Sequence, residues 1–452
     1  MLFALAGCSG TKSDAGGEAD PSAPVSIARA DITQTPASAV ADSSLKMAVT
    51  ANNAMAVDLY AHVLADSSGG NLLTSPISAS LALTMTYAGA VGDTATEMAQ
   101  ALHVDPSVGS AIFDGQNALS QALAARGASA LAAAQQNAQY GNQPAPAALD
   151  YDLHIVNSVW GEKTYTWEQP FLATLAQSYG TGVYQEDFVH AFEPARLTIN
   201  GWVSTETKDK INDLLPMGAL DDSTRMVLVN AMHLKFPWAN PFLPANTAPG
   251  SFTRADGTSV TANFMNESDT FSYVDDGQAQ IVALPLSNRE VSLVVALPHA
   301  DVDLATYEAS LAVGSAALSS PTTSAYVQLS LPKAQFTSQT FSLANALQNM
   351  GMKSAFDPDL ADFSGLCAHP PGGERLYVSK VLQKAMISMQ ETGVEAAAAT
   401  AVILAGLSVA APPPTPVPMV VNRPYLLALV DNPTGAILML GQIVDPTDAG
   451  GP

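Results

Sequence analysis

The chain predicts an α+β fold, and three observations carry that prediction. Apolar residues recur at helical spacing in the first half, continuous or alternating apolar runs gather in the second, and no strand-helix-strand unit repeats.

The elements follow in order. Folding starts near Leu45, where Met47, Met55, Leu59 and Val63 mark the buried stripe of a helix. Residues 71–78 give a short strand. Pro76 and Ser78 then open a second helix that runs through Tyr87, since proline is tolerated in a first turn and serine caps well. Residues 94–102 are a third helix. Residues 109–148 begin helically and then become too polar and proline-rich to pack, which predicts a surface insertion. A strand is expected over 153–160, a helix over 169–179, a helix over 195–209 with Ile199, Trp202 and Val203 inward, and a central strand over 226–234. Further strands are expected at 280–286, 291–297 and 326–333. A helix over 341–350 should stop at Gly351. Strands at 425–430 and 436–442 close the chain around the turn Asp431-Asn432-Pro433-Thr434-Gly435.

With 452 residues, 48% of them hydrophobic, the chain can build a large core as one or two domains. Its 18 Lys and Arg against 41 Asp and Glu give a formal net charge of -23, which disfavours nucleic acid and heparin-like polyanions as partners. Two cysteines, Cys8 and Cys367, exclude a disulfide framework and a cysteine-based metal cage, and Cys367 reads as a small free hydrophobe. Leu5-Ala6-Gly7-Cys8 has the look of a bacterial lipobox behind a shortened leader. Residues 9–44 are rich in Gly, Ser, Ala, Asp and Pro, so residues 1–44 are expected to be a truncated lipoprotein signal and a flexible linker ending in a lipid on Cys8.

One stretch stands apart. Residues 391–418 combine small residues, an apolar run and a proline cluster. Alanine favours a buried helix, whereas a membrane span needs ~20 apolar residues, and Glu395 and the prolines crop this one shorter. Read as a strand, Val394, Ala396, Ala398 and Thr400 share one compact face, and Glu395, Ala397 and Ala399 the other. Both readings stay open on the residues alone. No GxSxG, HExxH, CxxC, Walker loop or GxGxxG occurs, and the seven histidines form no i, i+4 pair. No metal or cofactor is expected, nor an enzyme.

Several blocks carry a resemblance. They are Asn71-Leu72-Leu73-Thr74-Ser75-Pro76-Ile77-Ser78, Val156-Asn157-Ser158-Val159-Trp160, Val229-Asn230-Ala231-Met232-His233-Leu234-Lys235-Phe236-Pro237-Trp238, Leu329-Ser330-Leu331-Pro332-Lys333, Glu391-Thr392-Gly393-Val394-Glu395-Ala396-Ala397, and Asn422-Arg423-Pro424-Tyr425 with Leu440-Gly441. In order and spacing the chain resembles a serpin of the bacterial branch. The resemblance implies three β-sheets, about eight or nine helices, and an exposed reactive loop near 391–421 in a domain spanning 45–448.

It further implies an inhibitor consumed in one turnover. A target serine protease attacks the loop, becomes acylated, and is dragged across the molecule when the cut loop inserts into the main sheet. Gly393 matches the hinge glycine, and Val394, Glu395, Ala396, Ala397, Ala398, Ala399 and Thr400 follow it as the inserting hinge. Loop length places the scissile bond at Leu407-Ser408, with Ala405, Val409 and Ala410 as neighbours where cleavage could fall instead. Leucine suits chymotrypsin-like or subtilisin-like pockets, and alanine or valine elastase-like ones. A trypsin-like target is disfavoured, since no Lys or Arg lies between Lys384 and Arg423. Trp238 matches the tryptophan where insertion begins, and Ser75, Ser78 and Asn157 the polar cluster under the sheet centre. Gln383 replaces the family's usual histidine with a side chain that does not titrate. Residues 409–421 are longer and richer in proline than usual, favouring extended geometry. The expected protein is a monomer outside the cytoplasm, anchored through Cys8 to an outer membrane or cell surface, or secreted. A non-inhibitory surface-binding serpin and an inhibitor of papain-like cysteine proteases are the alternatives.

Overall fold

Strand order explains most of this molecule, because the strands that flank its centre come from distant parts of the chain. The computed structural model describes residues 25–140, 152–286, 289–368, 373–394 and 415–450. The fold is α+β as expected, with nine α-helices among the described residues. One sheet has eight strands. From one edge, Ser26–Ala28, Val183–Glu186, Asp152–Glu162, Met226–Pro237, Gly393–Val394, Lys380–Gln390 and Ala334–Thr337 follow in order, with Phe341–Ser342 also on Lys380–Gln390. The other strands join into nine. The expected three sheets merge into two hydrogen-bonded networks because the 17-residue strand Ser259–Asp275 serves both of the smaller ones. It pairs with Ser324–Pro332 and Ala248–Thr253 along most of its length, and through Ser272 to Asp275 with Ala279–Pro285.

The helix Pro76–Tyr87 lies beneath both sheets, and every residue from Pro76 to Thr86 is buried. Its buried polar side chains are small, and the Thr84 and Thr86 hydroxyls are satisfied within the helix, donating to the carbonyls of Ser80 and Ala82, so it can be buried all round. Proline occupies its first turn as expected. The cap differs from expectation: Ser75, not Ser78, holds the N-cap position and makes no cap bond, because its hydroxyl is engaged by Ser78 at 2.9 Å. The 25-residue helix Asp42–Asp66 packs beside it through Ala48, Met55, Leu59, Tyr60 and Val63. At the far flank Trp160 is fully buried, stacked on Tyr184 with ring centroids 4.8 Å apart and edge-on to Trp202 at 5.6 Å.

Several expectations need correction. Residues 25–44, expected within the flexible linker, are laid on the domain: Ser26–Ala28 pairs with Val183–Glu186, and Asn117 and Gln121 bond the main chain at Thr35 and Ala37. The insertion stays helical to Tyr140. Its second helix, Arg126–Tyr140, buries only Ala130 and is tied down by the Arg126 guanidinium, whose Nε and Nη2 reach Asp431 at 2.7 and 3.0 Å. The helix over 341–350 starts as the strand Phe341–Ser342 and becomes helical only over Ala344–Asn349, though Gly351 does end it with positive φ. The helix from 169 turns into a π-helical segment over Leu175–Tyr179. The lipobox-like Cys8 lies outside the described residues, and no described helix is long and apolar enough to cross a membrane.

Candidate functional site

The central strands Met226–Pro237 and Lys380–Gln390 are parallel, and their pairing changes halfway along. Over Lys380 to Ala385 they bond each other directly, opposite Val227 to Met232. Beyond that point they part, and Gly393–Val394 stands between them, antiparallel to both: Val394 opposite Phe236 and Met389, Gly393 opposite Pro237 and Gln390. Adjacent strands sit ~4.8 Å apart, so the upper ends are opened to about twice that spacing. Val394 is fully buried and joins the cluster of Phe236, Ile387 and Met389. A Cβ on Gly393 would lie 2.1 Å from the Phe236 carbonyl oxygen, so only glycine fits this approach.

The open end is held through Trp238 and Glu391. Trp238 Nε1 donates to the Gln390 carbonyl at 2.7 Å, and its main-chain N–H donates to the Thr392 carbonyl at 3.1 Å. Its ring meets Phe242 edge-on at 6.0 Å. Glu391 accepts from Lys333 Nζ at 2.8 Å and from the Thr247 hydroxyl at 2.9 Å. Burial alone would raise the Glu391 carboxyl, but Lys333, its own main-chain N–H and the Thr247 hydroxyl together hold it below the usual carboxylate range. The hinge turn is thus pinned by an ionised group.

The closed half is held by Gln383, which is fully buried. Its Oε1 accepts from the Ser75 N–H at 3.0 Å, and its Nε2 donates to the Ser75 carbonyl at 2.9 Å and to Asn230 Oδ1 at 3.0 Å. Ser75 Oγ also reaches Met232 Sδ at 3.1 Å and the Leu438 carbonyl at 3.3 Å. Asn157 stands opposite Asn230, and its amide, turned to donate, reaches the carbonyls of Ser78 and Val156 at 3.1 Å. The structure therefore brings Ser75, Ser78, Asn157 and Gln383 together at the strands' direct contact, with Trp238, Gly393 and Val394 at the opening. Glu395, Ala396, Ala397, Ala398, Ala399, Thr400, Leu407 and Ser408 lie outside the described residues.

Sequence reasoning gave no role to Asn230, Met232, Thr247, Lys333 or Glu391. One signal was available for Asn230: it is polar inside the buried run 226–232, and a buried amide demands partners.

The eight-stranded sheet is thus parted at one end of its central strands, with the start of the segment after Lys380–Gln390 seated in the opening. The sequence profile of the serpin family, described as serine protease inhibitor, matches residues 50–446, and the chain belongs to that family. It is 29% identical to the leukocyte elastase inhibitor of Homo sapiens over 405 residues, covering 88% of this chain and 99% of that protein. It is 32% identical to Serpin B4 of Homo sapiens, covering 88% and 98%. Among solved structures, the thermophilic serpin tengpin in its native state matches with a TM-score of 0.75 at 24% identity, over 94% of this chain and all of that one. Human thyroxine-binding globulin complexed with thyroxine matches with a TM-score of 0.73 at 27% identity, over 90% and all. Members of this family bind target proteases as inhibitors and are not themselves enzymes.

Proposed function

We propose that this protein is an inhibitory serpin that traps serine proteases of hydrophobic preference as covalent acyl-enzymes. The observation that carries the reading is Gly393–Val394 between the two central strands: the first residues of the loop already occupy the path that the rest would follow. The sequence that follows is rich in small residues: read on as a strand, Val394, Ala396, Ala398 and Thr400 would share one face, and bulk or charge there would cost ~1 kcal/mol to several per residue in overpacking or unpaired burial.

The sequence supports Leu407-Ser408 as the bond presented to the protease. Attack by the protease serine on the Leu407 carbonyl carbon would form the ester and release the Ser408 amine, and insertion would then separate the two before water can cleave the ester. The elastase inhibitors among the relatives favour a target with an apolar pocket. Cys8 supports a lipid-anchored protein outside the cytoplasm, and the lipobox-like Leu5-Ala6-Gly7-Cys8 supports a bacterial source, although the relatives quoted are human.

Incubation with chymotrypsin, elastase and subtilisin followed by denaturing gels tests the reading. An SDS-resistant complex is expected with at least one, and simple cleavage of the loop by all three would refute it. Ala396→Arg should convert inhibitor to substrate, because a guanidinium on the inward face stalls insertion. Full inhibition by that variant would contradict the mechanism.

A further inference from the structure

The eight-stranded sheet has two outer edges, and one end of the described chain pairs along the first while the other end caps the second at Thr337. At one edge Ser26–Ala28 adds to Val183–Glu186, with Ser26 opposite Gln185 and Ala28 opposite Val183. At the other, the Thr337 N–H donates to the Ala449 carbonyl at 3.0 Å, and Gly450 forms a parallel bridge with Thr337.

Each closure depends on a glycine. A Cβ on Gly182 would lie 2.2 Å from the Ala28 carbonyl oxygen, and one on Gly450 would lie 2.0 Å from the Thr337 carbonyl oxygen. Each segment is also tied to the body by a carboxamide away from the sheet. Asn117 Nδ2 and Gln121 Nε2 both donate to the Thr35 carbonyl, at 2.7 and 2.8 Å, and Gln34 Nε2 donates to Asn117 at 3.0 Å. Asn71 accepts from the N–H groups of Val444 and Asp445 and donates to the carbonyls of Asp445 and Asp448. Arg254 Nε pairs with Asp445 at 2.6 Å.

We propose that residues 25–39 and 445–450 are edge guards that keep a second copy of this chain from adding to the sheet. A bare strand edge presents N–H and C=O groups that template pairing. The partner of matching length and register is the same edge of another copy, because antiparallel pairing about a two-fold axis is self-complementary. The net charge of -23 repels copies at long range, but physiological salt screens it beyond ~8 Å, leaving close contact to be blocked sterically. The guards do this by taking the hydrogen bonds themselves. Ser26–Ala28 has three residues against four in Val183–Glu186, so the edge it leaves is shorter than the one it covers.

The experiment compares the full chain with Gly182→Val, Gly450→Val and a deletion of residues 1–39. Size-exclusion chromatography with light scattering is run across concentration and salt, with hydrogen exchange on the same samples. Wild type should stay monomeric. Gly182→Val and the deletion should dimerise, more so as salt rises, with amides of residues 183–186 exchanging faster in dilute monomer and slower in dimer. Gly450→Val should do the same at 334–337. Adding a peptide of residues 25–39 should dissolve dimers of the deletion variant. Folded variants with fast-exchanging edges that stay monomeric at high salt would overturn the proposal, as would dimers protected between 226–237 and 380–390 instead. If Gly182→Val and the deletion both fail to fold, residues 25–39 are core rather than guard, which also overturns it.

Discussion

Gln383 grips the main chain of Ser75 at both ends, accepting from its N–H at 3.0 Å and donating to its carbonyl at 2.9 Å. A single amide thereby ties the Lys380–Gln390 strand to the helix beneath it, and a third bond to Asn230 ties it to the facing strand. Gln383→Ala would leave those buried groups without partners, at about 1–3 kcal/mol each where water cannot replace the bond. Differential scanning calorimetry should register a melting point lowered by several degrees.

Gln383→His tests what the amide withholds. Burial disfavours an imidazolium, so the folded pKa would fall below the unfolded ~6.5. Stability of that variant should be intact above pH 6.5 and be lost as pH falls below it, whereas the Gln383 protein should not acquire this dependence. Parallel melts between pH 5 and 8 make the comparison, and equal slopes would refute it.

Glu391 and Lys333 should be coupled. Their side chains are 15% and 29% exposed, so the pair is shielded enough to exceed a surface salt bridge. Glu391→Lys sets two ammonium groups together and should destabilise the hinge turn by ~1–3 kcal/mol. Adding Lys333→Glu should recover part of that loss in a double-mutant cycle. Simple additivity would mean the contact contributes nothing.

Gly393→Val should evict the hinge, since its Cβ would meet the Phe236 carbonyl. Hydrogen exchange should then accelerate at Val394 and Met389, and unchanged protection there would count against the clash.

Glu308 gives a pH dependence of opposite sense. It is buried, its Oε1 accepts from the buried Tyr60 hydroxyl, and burial pushes its carboxyl up to about 7. A folded-state value above the unfolded one means the native form holds the proton more tightly. The contribution is therefore full below pH ~4.3 and is lost as pH rises toward 7, an effect of up to ~3 kcal/mol. Glu308→Gln should flatten the melting curve across that window, and a slope equal to wild type would refute the assignment.

Much of this architecture was legible in the residues. The helices Asp42–Asp66 and Pro76–Tyr87 and the strands Met226–Pro237 and Val291–Pro298 announce themselves by period or by apolar run. What escaped did so for physical reasons. Ser26–Ala28 is short and mostly exposed, so it carries no period. Ala248–Thr253 contains Pro249 and Gly250, which argue against a strand, and Ser259–Asp275 is polar through its middle and shared by two sheets. Lys380–Gln390 is buried on both faces, so alternation is absent. In the site, Gln383, Ser75 and Asn157 converge from three distant segments, a proximity visible beforehand only through the family resemblance. Glu391 and Lys333 meet across 58 positions with no local sign of their pairing.

The parted central strands have a kinetic consequence. A zip that must first find its slider starts slowly, but here Gly393–Val394 is the slider and is already seated. Under the proposed insertion six residue pairs would remain to be opened, Lys380 to Ala385 against Val227 to Met232, each given up as two new pairings form. The speed of closure would then be set by how fast that short ladder runs open from its top, with Gln383 as the tooth on which it catches.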